Sequence, residues 1–92
     1  MSMILIWDQN KANSNFKKHG VTFDEAQTVL ESEVQLVLED NDHEEPRFIA
    51  IGYSEKQRCL VVVYAYRDEE VIRIISARKA TRKEGKEYEK RI

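Results

Sequence analysis

The hydrophobic period of this chain changes from helical to alternating between Glu31 and Val34. Phe23, Ala26, Val29 and Leu30 recur at the spacing of one helix face, whereas Val34, Leu36 and Leu38 alternate as in a strand. Strand-like runs then continue through "RFIAIGYS", "CLVVVYAY" and "VIRIISA", rich in β-branched and aromatic residues. A 92-residue chain patterned this way has one helical layer and one sheet to bury against each other, in a single domain over residues 1–92.

Local signals fill in the elements. Met3–Trp7 reads as a short first strand. Asp8 can cap a helix that runs to Gly20, where a left-handed residue ends it, with Lys17, Lys18 and His19 in the dipole-favoured last turn. Thr22 and Glu25 form a capping box, and Val21 can staple onto Ala26, so a second helix runs to about Glu31–Ser32. "DNDHEEP", "EKQ" and "RDEE" are polar turns short enough for an antiparallel meander. Thr81 and Glu84 form another capping box before "RKEGKEYEKRI". Gly85 costs that helix about 1 kcal/mol against alanine. Tyr88 and Ile92 are its only apolar side chains, so it should dock loosely. The expected fold is α+β: two N-terminal helices packed on one face of a twisted antiparallel sheet, with a short C-terminal helix. The other face is left free to be concave and polar.

Composition removes several function classes. The single cysteine, Cys59, excludes an internal disulfide, and its apolar surroundings suit a buried inert thiol. A reducing cytoplasmic location follows. The two histidines stand 24 residues apart, with no spacing that suits a metal, and the three glycines are isolated, so neither a metal centre nor a phosphate-cradling loop is expected. No apolar run reaches the roughly 18–20 residues of a membrane span, and the start lacks the basic region of a signal peptide.

Charge is informative only when divided. Residues 1–46 carry three basic and ten acidic side chains; residues 47–92 carry twelve basic and seven acidic. A net charge of −2 therefore leaves room for a polyanionic partner on the C-terminal half. The basic residues concentrate in "IRIISARKATRKE", from Ile72 to Glu84. Parity raises a conflict there. In a regular strand Val71, Arg73, Ile75 and Ala77 share one face, and Ile72, Ile74, Ser76 and Arg78 share the other. Arg73 and Arg78 can share a face only if the strand breaks or twists near Ala77; otherwise one of them is structural.

Arginine clusters suit phosphate because the planar guanidinium binds two oxygens and stays charged. Cleaving RNA without a metal requires a base for the 2′-hydroxyl, cations for the phosphorane and an acid for the leaving oxygen. Arg73, Arg78, Arg82 and Lys79 can supply the cations, joined by Arg47 at the start of a neighbouring strand. Tyr64, Tyr66 and Tyr88 offer surfaces for base stacking, or simply core. His43, in the polar turn beside Glu45, is the candidate for proton transfer. His19 is better explained as a helix-end residue.

The blocks "WDQNKANSNFKKHGVTFDEA", "DHEEPRFIAIG", "LVVVY" and "IRIISARKATRKEGKEYE" resemble, in order, the BrnT toxins of bacterial type II toxin–antitoxin modules. The resemblance implies a RelE-like fold and a metal-independent ribonuclease that blocks translation. It also implies a BrnA-like antitoxin carrying a ribbon-helix-helix domain, so that operator DNA is reached only through the antitoxin. The family pattern falls on Trp7, Asp8, Lys11, Asn15, Lys18, His19, Gly20, Val21, Phe23 and Ala26. It continues on His43, Arg47, Gly52, Arg73, Ser76, Arg78 and Tyr88. Gln9, Pro46 and Gly85 depart from it. His43, Arg47, Arg73, Ser76 and Arg78 are thus the expected catalytic set, with Lys79, Arg82 and Tyr88 contacting substrate and no cofactor. The alternatives are a non-catalytic nucleic-acid-binding module, or a protein-interaction module whose basic face meets an acidic partner.

Overall fold

A computed structural model describes residues 3–92. Its elements run β1 (Ile4–Ile6), α1 (Gln9–His19), α2 (Phe23–Glu31), β2 (Gln35–Asp40), β3 (Arg47–Tyr53), β4 (Cys59–Asp68), β5 (Val71–Lys79) and α3 (Arg82–Arg91). The strands form one sheet in the order β1-β5-β4-β3-β2. Four strands make the expected antiparallel meander, but β1 lies parallel to β5, so the sheet is mixed. None of the helices among the described residues is long and apolar enough to cross a membrane.

The caps form where the sequence places them. The Asp8 carboxylate accepts from the N–H groups of Asn10 and Lys11, and Gly20 ends α1 at φ 69°. Thr22 caps α2 by accepting from the Glu25 N–H. Helices α1 and α2 cover one face of the sheet. Val21, Phe23, Ala26 and Val29 pack there on Ala50, Leu60, Val62, Tyr64, Ile72, Ile74 and Ala77. Gly52 makes that packing possible through size rather than backbone freedom. A Cβ there would lie 3.3 Å from both Val29 Cγ1 and the Val34 carbonyl oxygen. On the opposite face Tyr88 anchors α3 against Ile51 and Val61 and donates to the Val34 carbonyl at 3.2 Å, a firmer attachment than two apolar side chains suggest.

Two polar contacts lock the helical layer to the sheet. Strand β1 pairs with Val71–Arg73, so among the described residues the edge of β5 beyond Arg73 lacks a strand partner on that side. The buried amide of Asn15 supplies one. Its Oδ1 accepts from the Ala77 N–H, and its Nδ2 donates to the carbonyls of Ala77 and Val21. Elsewhere Glu25, 1% exposed, accepts from Ser54 Oγ at 2.6 Å and from two nitrogens of Arg58. Arg58 also donates to the Gly20 carbonyl, which ties the α1–α2 junction to the β3–β4 turn.

The Arg58 guanidinium holds the Glu25 carboxyl below its ordinary range, against the opposing effect of burial. Because the folded value is depressed, the stabilisation is complete above the unfolded carboxylate value of about 4.3. It is lost as pH falls through the folded value. Glu25→Gln should therefore cost about 1.5–3 kcal/mol at neutral pH, and its stability should depend less on pH between about 5 and 3 than that of the wild type. Denaturant melts across that range measure both effects.

Candidate active site

The parity conflict in β5 is resolved by an extra residue. Val63 pairs with Ser76, but the next residue of β4, Tyr64, pairs with Ile74. Ile75 is therefore a bulge, and alternation restarts on either side of it. Val61 faces Arg78, Val63 faces Ser76 and Ala65 faces Arg73, in three successive rows. Arg73, Ser76 and Arg78 thus stand on one face, away from α1 and α2, with Ser76 between the arginines. The break lies at Ile75 rather than near Ala77, and the strand continues to Lys79. By the register of β4, the Arg73 and Arg78 rows are about 13 Å apart along the strand.

The Arg73 end of this face gathers most of the other expected residues. Arg47 opens β3 opposite Asp40. Continuing the β3–β4 register places it on the row of Ala65 and Arg73. Arg73 donates through Nη2 to Glu45, while the Nε groups of Arg47 and Arg73 are buried with no hydrogen-bond partner among the described residues. His43 Nε2 lies 3.4 Å from Asp40 Oδ2, in the β2–β3 loop at the same end. At the other end Arg78 makes a two-pronged contact with Glu84, Nη1 to Oε1 at 2.7 Å and Nη2 to Oε2 at 2.8 Å. This contact, the largest influence, pulls the Glu84 carboxyl down to about 2 and raises the Arg78 guanidinium.

The floor between these ends is apolar. Leu36, Leu38, Ile49, Ile51, Val61 and Val63 line a groove of about 440 Å³ bordered by Arg78 and by one side of α3 from Lys83 to Arg91. The expected concave polar face is thus polar at its two ends and greasy between them, because α3 covers only part of the sheet. Among the described residues, no three His, Cys, Asp or Glu side chains come together as a metal-holding group.

Two expected substrate contacts fall elsewhere. Lys79 pairs with Leu60, so strand parity turns it toward the α1–α2 face, away from Arg78. Tyr88 is buried at 8%, with its ring 5.7 Å from Tyr53 and its hydroxyl committed to Val34. Arg82 is exposed on α3, beside Lys83, Lys86 and Lys90. Glu84 and Glu45, the carboxylates that hold the arginines, were not singled out for this site. The signal for Glu84 was its capping box, which accounts for a helix start and hides its second task. Cys59 is half-buried, and burial pushes its thiol up, as suits an inert cysteine.

A family model described as "Ribonuclease toxin, BrnT, of type II toxin-antitoxin system" matches residues 7–84. The chain belongs to the BrnT family. It is a ribonuclease toxin of a type II toxin–antitoxin system, with an RNA target and an antitoxin protein as partner. The crystal structure of the Brucella abortus ribonuclease toxin BrnT superposes with a TM-score of 0.71 at 26% identity, covering 88% of this chain and 100% of that one. No curated protein matches the sequence. All three rows of the arginine–serine face lie inside the matched segment, as does Glu84.

The geometry separates structural tyrosines from site residues. Tyr88→Phe should lose about 1 kcal/mol for one hydrogen bond and keep RNA cleavage. Tyr88→Ala should lose about 3–5 kcal/mol and release α3. Thermal melts alongside cleavage assays on both variants test this, and loss of cleavage in a fully folded Tyr88→Phe would return the hydroxyl to the site.

Proposed function

We propose that this BrnT toxin cleaves RNA without a metal and that Arg73, Ser76 and Arg78 form the centre of its active site. The observation that carries this reading is their placement on three successive rows of one face by the Ile75 bulge. A hydroxyl with an arginine row on each side, the two rows about 13 Å apart along the strand, suits an RNA strand whose phosphate gains negative charge as the 2′-oxygen attacks. Arg47 adds positive charge on the Arg73 row. His43, held near Asp40, transfers a proton, and Ser76 orients the phosphate or an arginine. Arg82 and the lysines of α3 steer the flanking strand. Lys79 and Tyr88 take no part, for the reasons of parity and burial given above.

In this reading the toxin acts in the cytoplasm and blocks translation by destroying its RNA target. A BrnA-like antitoxin with a ribbon-helix-helix domain neutralises it, and the complex represses its own operon, so that operator DNA is contacted through the antitoxin alone. The apolar floor between the arginine ends supports an antitoxin that covers the site, because a protein side chain can bury against Leu38, Ile49 and Val63 where RNA phosphates gain nothing. Bound antitoxin and bound RNA then exclude one another.

Purified toxin should cleave RNA in the presence of EDTA and leave 2′,3′-cyclic or 3′-phosphate ends. Arg78→Ala should lower kcat/KM by about 100–1,000-fold, the range for loss of one transition-state charge partner. Activity abolished by EDTA and restored by a divalent ion would defeat the mechanism. RNA binding without cleavage, unchanged by His43→Ala and Ser76→Ala, would favour a non-catalytic module.

A further inference from the structure

Arg78 has five N–H donors, and three of them are spent within the described structure. Nη1 donates to Glu84 Oε1 and to the Lys79 carbonyl, at 2.7 and 3.2 Å. Nη2 donates once, to Glu84 Oε2. The Nε–H and the second Nη2 hydrogen remain. They lie side by side on the lateral edge of the guanidinium plane, since Nη2 is the nitrogen on the Nε–H side. That edge is a ready two-pronged donor for a phosphate. Arg73 differs, because its Nε is buried without a partner and closed to a ligand.

Glu84 is itself held from two directions. Its Oε1 accepts from the Thr81 N–H at 2.8 Å, and its own N–H donates to Thr81 Oγ1 at 3.2 Å. Helix α3 is in turn fixed to the sheet through Tyr88. The Arg78 side chain is 40% exposed, and among the described residues its guanidinium is held by Glu84 and by the Lys79 carbonyl alone.

We propose that Glu84 is a positioning residue: it occupies the end of the Arg78 guanidinium so that the lateral edge is presented to the substrate phosphate. This rests on the reading of Arg78 as a phosphate ligand. It gives the helix cap a second use, because the carboxylate that starts α3 also aims the arginine. The chemistry recognised at that edge is a phosphodiester with two accessible oxygens.

Steady-state cleavage of a short, fluorescently labelled, mixed-sequence oligoribonucleotide, run beside thermal melts, tests this with three variants. Glu84→Gln keeps a capping residue at its position but loses the charged fork. At neutral pH it should melt below the wild type, because the Arg78 contact that holds the Glu84 carboxyl down to about 2 is lost, with kcat down about 10–100-fold, as expected when a reacting group is misplaced, and with KM little changed. Thr81→Ala removes the cap and leaves the Arg78–Glu84 pair, so it should melt earlier and retain kcat. Glu84→Gln cleaving at the wild-type rate would overturn the proposal. So would losses of kcat in the two variants that simply follow their melting temperatures. Arg78→Ala separates the two levels of inference. If it cleaves as well as the wild type, the reading of Arg78 itself fails; if it is inactive while Glu84→Gln is unimpaired, only the role of Glu84 fails.

Discussion

A β-strand can serve two faces only by strict alternation, and β5 has to serve two faces whose demands clash. Ile72, Ile74 and Ala77 belong to the core beneath α1 and α2, while Arg73, Ser76 and Arg78 stand on the other side. Regular alternation cannot satisfy both sets, because Ile74 and Ala77 are an odd number of residues apart. One inserted residue, Ile75, reconciles them. The rest of the molecule is arranged around that strand: β4 pairs along one edge, β1 and the Asn15 amide satisfy the other, and α3 leaves from its end.

Much of this was legible in the sequence, and the reasons differ from element to element. The caps at Asp8, Thr22 and Thr81 were readable because they depend on residues two or three apart. The helix-to-strand change near Ser32 was readable because hydrophobic period reports burial directly. The parallel placement of β1 was not, since a three-residue strand carries no mark of its partner. The bulge was visible only as a contradiction between Arg73 and Arg78; its position at Ile75 depends on pairing with β4.

The candidate site divides along the same line. The arginines were found because phosphate chemistry calls for them and they cluster in sequence. Lys79 looked equivalent to Arg78 in a charge run, yet adjacent strand residues point to opposite faces. Tyr88 offered an aromatic ring, and the sheet took it for packing. The carboxylates were harder to see, because acidic residues near a basic cluster read as ordinary surface. Their partners are set by tertiary proximity, 28 residues away in sequence for Glu45 and Arg73.

The strand order carries a consequence for how the molecule is made. Strand β5 is the last strand in the chain, yet it lies between β1, the first, and β4. A chain emerging from the ribosome can assemble α1, α2 and the β2–β4 meander while that slot stays open. The face that carries Arg73, Ser76 and Arg78 is complete only when residues 71–79 enter it. That face is therefore formed in one step, when β5 docks between β1 and β4, rather than strand by strand.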